Sequence, residues 1–243
     1  MSVLEQIKKL REQTGAGIVD VKKALDEAGG DESKALDILK KKGQDKAKKK
    51  SDRYAGEGAI GFYIHSDQKT GAMVKILCET DFVARNEDFK NFARDIAMQV
   101  VAMNPSVVNY KELDPAVVEK ETEGIVAAVK EENIELKRLK KPLKNIPQFI
   151  SKIQITDEIM EEITEKIKAD LIVEGKPEEI LDKILPGKLE RFIEDNTSFD
   201  RESVLLSQSL AKDPEKTVQD FLNEAIAKMG EKIEISEFVR FEI

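Results

Sequence analysis

Residues 60–78 read IGFYIHSDQKTGAMVKILC, and this stretch decides the fold class. Apolar residues take every second position on both sides of the polar loop 66–71, at Ile60, Phe62 and Ile64 before it and at Val74, Ile76 and Cys78 after it. Alternation with a period of two is typical of β-strands, and a short loop between two such runs indicates an antiparallel hairpin. Because the flanking segments have the helical period instead, the sequence predicts an α+β fold with an antiparallel sheet.

A strong amphipathic helix is predicted just after this hairpin. Asn86 is a suitable N-cap, and Asn104-Pro105 is a stop signal. Between them the apolar residues recur at helical spacing, at Phe89, Phe92, Ala93, Ile96, Ala97 and Val100. Such a face needs something to pack on, and the hairpin is the nearest candidate along the chain.

The first 43 residues predict a module of three short helices. Three apolar stripes define them: Val3, Leu4, Ile7 and Leu10, then Ile18, Val21, Leu25 and Ala28, then Ala35, Leu36, Ile38 and Leu39. Breaks fall at Thr14–Gly17 and at Gly29-Gly30, Asp31 is the expected N-cap of the third helix, and Gly43 is its expected end. So short a module buries little surface and is marginal alone.

Residues 40–50, KKKGQDKAKKK, are strongly basic. Like charges repel, so the favoured interpretation is a solvated, flexible linker. The alternative is an electrostatic contact with RNA or with an acidic protein surface.

Two further helices are predicted between the central helix and residue 175. Asp114-Pro115 begins the first, and Thr156 begins the second, which Gly175 ends. A basic, proline-bearing bend joins them. We expect the two helices to form an antiparallel hairpin over about residues 115–175 that projects from the core.

The rest of the chain predicts helices followed by a terminal strand. Lys176-Pro177 is expected to begin a helix that Pro186-Gly187 breaks, and a last helix bearing Val218 is stopped by Gly230. The strand that follows is expected to carry its apolar residues on one face: Ile233, Ile235, Val239, Phe241 and Ile243.

Composition excludes several classes of protein. The 243 residues include 40 Lys and Arg against 48 Asp and Glu, for a net charge of −8, which argues against a dedicated duplex-DNA binder. A single cysteine and a single histidine exclude a disulfide framework and multi-ligand Cys or His metal sites. We find no secretory signal and no apolar run of membrane-spanning length, so a cytoplasmic protein is expected.

No enzyme active site is predicted. Phosphate-loop and dinucleotide-binding glycine motifs are absent, and Gly15-Ala16-Gly17 lies between helices, where a tight turn is the favoured interpretation. His65 is expected at the mouth of the hairpin turn facing solvent, and Cys78 is expected to be a small buried apolar residue. The helix that carries Glu158, Glu161, Glu162 and Glu165 also carries lysines, so those carboxylates indicate a solvated face. We expect no enzyme, no cofactor and no metal.

The segment Thr80–Val83 is unusual for its position between a hairpin and a helix. One interpretation is that Phe82 fills the core between the two. The other is that Asp81 and Phe82 form a presented probe, because a rigid aromatic side chain beside a carboxylate is typical of a protein–protein hot spot.

At these residues the chain resembles a known family. Residues 10–25 (LREQTGAGIVDVKKAL) and 78–86 (CETDFVARN) are similar to the two signatures of the elongation factor Ts family, the nucleotide-exchange factors of elongation factor Tu. Residues 175–178 (GKPE) and 238–242 (FVRFE) are similar to the C-terminal part of the family. The similarity covers about residues 1–125 and 172–243.

The resemblance implies a fold and a function. Residues 1–52 would form a ubiquitin-associated-like helical domain with its Lys-rich linker, and residues 53–243 the family's core. Arg11, Ile18 and Val19 fall where the family contacts the nucleotide-binding domain of elongation factor Tu. Thr80, Asp81, Phe82 and Val83 match the segment that dislodges Mg²⁺ from the partner and so promotes GDP release.

This chain departs from the longer family members in three places. It has one hairpin-helix unit, like short members that complete a pseudo-symmetric arrangement as homodimers, so a homodimer is expected, with the C-terminal strand as the suggested contact. The family's Gln-Pro-Phe-Val is here Gln208-Ser209-Leu210-Ala211, which puts a contact with the partner's outer domains in doubt. Residues 131–155 are not covered and indicate an insertion in the helical hairpin.

An RNA- or ribosome-associated module remains the alternative function. It would use the two basic segments, Lys40–Lys50 and Lys137–Lys152, although stable nucleic-acid binding is not expected. A hydrolase or transferase built on Cys78 is the least favoured hypothesis, since no histidine is near it in the sequence to activate the thiol.

Overall fold

The structure is a computed structural model that describes residues 3–175 and 178–243. The predicted helix start at Lys176-Pro177 lies outside the described residues. The chain divides into two units, one of Met1–Val108 with Leu205–Ile243 and the other of Asn109–Val204. The predicted boundary near residue 52 falls within the first unit and stays a prediction.

The elements confirm the α+β class. The first unit contains α1 (Val3–Thr14), α2 (Ile18–Glu27), α3 (Glu32–Lys48), β1 (Glu57–Ile64), β2 (Thr70–Cys78), α4 (Asp81–Arg85), α5 (Glu87–Met103), and after the second unit β3 (Ser209–Leu210), β4 (Asp213–Thr217), α10 (Val218–Met229) and β5 (Ile233–Glu242). The second unit contains α6 (Pro115–Arg138), α7 (Asp157–Val173), α8 (Glu178–Asn196) and α9 (Ser198–Ser203). None of the described helices is long and apolar enough to cross a membrane.

The three N-terminal helices share a small core of their own. Its fully buried side chains include Leu10, Val21 and Leu39. Asp31 caps α3 as predicted, because its carboxylate accepts from the Ser33 and Lys34 N–H groups. Three helices are therefore confirmed at the predicted places.

The basic segment is helical over residues 40–48, so the prediction that Gly43 ends the helix and a flexible linker follows is wrong there. Ion pairs offset the repulsion among its lysines, with Lys46 Nζ 2.7 Å from Asp20 Oδ2 and Lys42 Nζ 2.9 Å from Glu27 Oε1. Beyond the helix, the Lys50 ammonium donates to the Gly230 carbonyl. α3 packs along α10, and its Ala47 lies against the main core of the unit.

A three-stranded antiparallel sheet, in the order β1-β2-β5, forms the centre of the first unit. One face packs on α5 and α10 and buries Val74 and Ile76 with Phe89 and Ile96. α5 crosses β1 so closely that a Cβ at Gly61 would lie 2.3 Å from the Ala93 carbonyl oxygen. Only glycine fits there, and the predicted packing of the helix on the hairpin is confirmed.

The prediction that the terminal strand carries all its apolar residues on one face is wrong. A bulge shifts the β2–β5 register, so that Ile76 pairs with Ile235 but Lys75 pairs with Glu237. One extra residue in a strand reverses the side to which the following residues point. Ile233 and Ile235 are therefore buried, whereas Val239 and Phe241 beyond the bulge are exposed and point away from the core.

The other face of the sheet is apolar and exposed. Phe62 pairs with Met73, which pairs with Val239, and these three side chains form its middle row. We call this surface the outer face; its apolar residues are Ile60, Phe62, Ile64, Met73, Val239 and Phe241. An ion pair between Lys75 and Glu237, with Nζ 3.1 Å from Oε1, lies at one end of it.

In the second unit α7 packs on α8, and the predicted antiparallel pairing of α7 with α6 stays a prediction. Ile163, Ile167 and Leu171 of α7 share a core with Leu181 of α8 and Phe149, and among the described residues α6 contributes no side chain to it. Pro186 lies inside α8 instead of ending it. The predicted starts are confirmed, since the Asp114 and Thr156 side chains cap α6 and α7.

The segment after α6 folds back on that helix. The Asn133 side-chain amide donates to the Lys144 carbonyl at 2.9 Å and accepts from the Lys144 N–H at 2.7 Å. Farther on, the Gln154 amide donates to the Thr122 hydroxyl at 3.0 Å. Much of the predicted insertion, residues 131–155, is thus held by side-chain hydrogen bonds.

Candidate protein-binding site

A single helical turn, α4, follows the end of β2. Thr80 is its N-cap, and the Thr80 hydroxyl accepts from the Val83 N–H at 3.4 Å. Val83 and Ala84 are partly buried against the main core. One side of the turn therefore packs on the core, and the side chains on its other side face solvent.

Phe82 occupies that free side and is 83% exposed. The interpretation in which it fills the core between hairpin and helix is therefore wrong. Asp81 is half-buried beside it, with its carboxylate 3.1 Å from the Arg85 guanidinium. The structure thus places an exposed aromatic ring next to a carboxylate on one short helical turn.

Two carboxylates that sequence reasoning missed hold the start of this turn. Glu231, from the loop before β5, accepts from both the N–H and the hydroxyl of Thr80. Glu79 accepts from the Lys232 N–H and from the Arg53 guanidinium. These two interactions keep the pKa of Glu79 below its ordinary value. No pattern in the sequence indicated either pairing, because the partners lie about 150 residues apart.

The remaining predicted residues form a second patch at the junction of α1 and α2. Ile18 and Val19, in the first turn of α2, are 56% and 66% exposed. Arg11 is exposed in the last turn of α1. The buried side of α2 carries Val21 instead, so Ile18 and Val19 are not needed for the core. The seven predicted residues lie in two patches on different elements.

Neither Cys78 nor His65 has the surroundings of a catalytic group. Cys78 is fully buried, and its thiol donates to the Thr80 carbonyl at 3.2 Å. Burial, reinforced by the charge of Glu231, raises the pKa of Cys78 to about 11, which is the opposite of what activates a thiol. His65 is exposed at the hairpin turn, as predicted. Within residues 3–175 and 178–243, no three His, Cys, Asp or Glu side chains are grouped as a metal ion would require.

The segment 208–211 is largely structural. Gln208 is fully buried, and its amide donates to the Met103 carbonyl at 3.2 Å. Leu210 is buried in the main core. The side chains of Gln208 and Leu210 are therefore not available to a partner in this arrangement.

Exposed apolar side chains at Phe82, Ile18 and Val19 are typical of the surfaces of interaction proteins. The elongation factor TS family model matches residues 32–146 and 144–243. Elongation factor Ts of Campylobacter fetus subsp. fetus is 36% identical over 327 residues, covering 98% of this chain and 92% of that protein. The corresponding values for Thermoanaerobacter sp. strain X514 are 41% over 238 residues, covering 98% and 93%. For Flavobacterium johnsoniae they are 35% over 314 residues, covering 96% of each.

The chain belongs to the elongation factor Ts family. The predicted resemblance is thereby confirmed. Membership implies a role as a nucleotide-exchange factor for elongation factor Tu and not as an enzyme with a catalytic centre of its own.

Proposed function

We propose that this chain binds the GDP form of elongation factor Tu, displaces Mg²⁺ from it and promotes the release of GDP, so that GTP can bind during translation elongation in the cytoplasm. One observation carries the proposal: Phe82 is exposed beside Asp81 on a helical turn whose N-cap, Thr80, is held by Glu231. A rigid, exposed aromatic residue loses little conformational entropy when it enters a pocket, which suits it to be a binding hot spot.

Two patches would act in sequence. The three helices α1, α2 and α3, as a ubiquitin-associated-like domain, would dock on the partner's nucleotide-binding domain through Arg11, Ile18 and Val19. Asp81 and Phe82 would then insert beside the nucleotide, within the segment Thr80–Val83 that dislodges the ion. Because Mg²⁺ bridges the phosphates to the GTPase, loss of its ligands weakens nucleotide binding.

No catalytic acid or base is needed for this role. The factor stabilises a conformation of the partner that holds nucleotide poorly. Linkage makes the coupling reciprocal, so the arrival of GTP weakens the factor's own binding to the same degree. Each 1.4 kcal/mol or so of differential binding corresponds to about a tenfold change in affinity.

The direct test is the release of a fluorescent GDP analogue from purified elongation factor Tu in the presence of excess unlabelled GDP. We expect strong acceleration at substoichiometric concentrations of this protein, because a released factor acts repeatedly. Unaccelerated release in the presence of folded protein and a partner from the same organism would contradict the proposal.

We further propose that the chain forms a homodimer through the outer face of the sheet. This face includes Val239 and Phe241 of the C-terminal strand. A contiguous apolar face of this kind is unusual on a monomer, and two twisted sheets pack readily face to face. A second copy would cover the surface in the manner of the short family members.

The RNA-associated alternative now depends mainly on the second basic segment. In the first segment, Lys42 and Lys46 are engaged with Glu27 and Asp20. Lys137, Lys140 and Lys141, by contrast, are exposed at the end of α6. Binding of a single-stranded RNA oligomer that weakens steeply with salt would favour this alternative, whereas we expect no stable binding at physiological salt.

A further inference from the structure

We propose that Glu231 is a positioning residue for nucleotide exchange, because its carboxylate fixes the Thr80 cap of α4 and so holds Asp81 and Phe82 in their binding orientation. The claim about exchange rests on the proposed function. The claim about orientation does not, and it is tested separately below.

The geometry at Thr80 is that of a two-point clamp. Glu231 Oε2 lies 3.0 Å from the Thr80 N–H nitrogen, and Glu231 Oε1 lies 2.7 Å from the Thr80 hydroxyl oxygen. A hydroxyl has one proton to donate, so donation to Glu231 leaves its lone pairs to accept from Val83. Glu231 therefore sets the direction of the hydroxyl that caps α4.

A second carboxylate connects the same two segments in the opposite sense, because it extends from the end of β2 to the loop before β5. Glu79 Oε1 accepts from the Lys232 N–H at 2.5 Å, and it lies 3.3 Å from the Arg53 guanidinium. The backbone ladder between β2 and β5 ends with the pair Cys78 and Ile233. The contacts of Glu79 with Lys232 and of Glu231 with Thr80 lie one and two residues past the last backbone pair. They therefore continue the connection between the two segments and fix the direction in which α4 leaves the sheet.

The turn depends on these clamps more than a longer helix would. α4 has five residues, and a single helical turn is unstable without outside contacts. Val83 and Ala84 supply apolar contacts on one side, but Phe82 has little packing of its own. Hydrogen bonds to a carboxylate are stronger than neutral ones, so Glu231 is the dominant polar restraint on the cap.

The chain offers matched variants for the test. Glu231→Ala removes both acceptors, and Glu231→Gln keeps one acceptor without the charge. Glu234→Ala is the control, since Glu234, in β5, is a nearby carboxylate that pairs with Lys232 Nζ at 3.0 Å. Thr80→Ser keeps the capping hydroxyl and Thr80→Val removes it.

The first measurement is amide hydrogen exchange of Val83 and Ala84 in the full chain, without any partner. We expect Glu231→Ala to speed exchange at these amides about tenfold or more, from the loss of charged hydrogen bonds, with smaller effects for Glu231→Gln and none for Glu234→Ala. Amides of the β1–β2 ladder serve as the internal reference. Unchanged protection of Val83 in Glu231→Ala would overturn the proposal whatever the protein's function.

The second measurement is the rate of fluorescent GDP release as a function of factor concentration. We expect Glu231→Ala and Thr80→Val to lower the maximal rate about tenfold, with little change in the half-saturating concentration, and Glu231→Gln and Thr80→Ser to lower it less. A purely structural role would instead lower the fraction of folded protein, seen in thermal unfolding, and leave the maximal rate per folded molecule unchanged. That result would overturn the proposal. A wild-type protein with no exchange activity would instead contradict the proposed function. In that case the amide measurement would still test whether Glu231 holds α4 in its orientation.

Discussion

Phe82 and Phe62 are both exposed phenylalanines, 83% and 66%, but they belong to surfaces of different construction. Phe82 is on one helical turn that side-chain hydrogen bonds hold in place, and its neighbour is a carboxylate. Phe62 is in the middle row of the outer face, where backbone pairing on both sides of β2 orders the sheet.

The difference indicates two kinds of binding. A lone aromatic ring beside a charge fits a pocket in a different protein, where one residue supplies much of the binding energy. A flat apolar face fits an equal face, as in the self-complementary interface of a symmetric dimer. The following variants test whether the two phenylalanines have these separate roles.

The largest effect is expected from Phe82→Ala. Truncation of an aromatic hot spot costs about 2–4 kcal/mol, so the maximal rate of GDP release is expected to fall about 30-fold to 1000-fold while the fold is retained. The measurement is stopped-flow release of the GDP analogue, with circular dichroism as the check on folding. Tyr54→Ala is the matched control, because Tyr54 is also an exposed aromatic residue of the first unit. Equal exchange rates for wild type and Phe82→Ala would remove the probe from the mechanism.

A smaller but still large effect is expected from Phe62→Asp on self-association. A carboxylate in the middle of an apolar interface has no partner and pays the cost of desolvation, so the dimer dissociation constant is expected to rise about 100-fold. Sedimentation equilibrium over a range of concentrations measures this.

The control for Phe62→Asp is Ile134→Asp, which places the same charge at an exposed aliphatic residue of the second unit. A wild-type protein that is monomeric at high micromolar concentration would show that the outer face is not a dimer interface.

A moderate effect is expected from Ile18→Ala and Val19→Ala. Each removes an exposed apolar contact worth about 1 kcal/mol, so the half-saturating concentration for exchange is expected to rise about fivefold while the maximal rate stays the same. Titration of the factor in the release assay separates the two quantities, and Val173→Ala, an exposed residue of the second unit, is the control. A lowered maximal rate would mean that this patch acts on the nucleotide site directly.

The smallest effect is expected from Asn86→Ala, where α4 meets α5. The Asn86 side chain accepts from the Asp88 N–H at 2.9 Å and caps α5. Loss of such a cap costs about 1 kcal/mol, which lowers the melting temperature by about 2–4 °C for a chain of this size. Calorimetry measures the change, and Asn86→Asp, which keeps the capping oxygen, is expected to restore most of it.

Short sequence signals were sufficient to predict the start of a helix wherever a single capping residue determines it. Asn86, Asp114 and Thr156 cap the helices that they were predicted to cap, because capping is a property of a few adjacent residues. The hairpin also follows from its own alternation. The two motifs that place Phe82 and Ile18 at exposed positions could likewise be identified from sequence.

Long-range pairing could not be predicted in the same way. The bulge in β5 depends on which β2 residues it meets, and alternation alone predicted one continuous face. The apolar stripe of α7 showed that it needs a partner without showing that the partner is α8. Glu231 looked like any surface glutamate, because its function depends on Thr80, far away in the sequence.

The helical path of residues 40–48 also bears on how the two patches would cooperate under the proposed function. α3 packs on α10 as an unbroken helix, so the residues that carry Ile18 and those that carry Phe82 belong to one contact network, with no free tether between them. Under the proposed function, binding of one patch would bring the second to its site at a high effective concentration, and no entropy would be lost in ordering a linker. We therefore expect that the rate of nucleotide exchange would not depend on the length or motion of a flexible linker between the patches. The lysines that looked like a spacer lie on this helix, so under the proposed function the two patches would behave as one bivalent ligand.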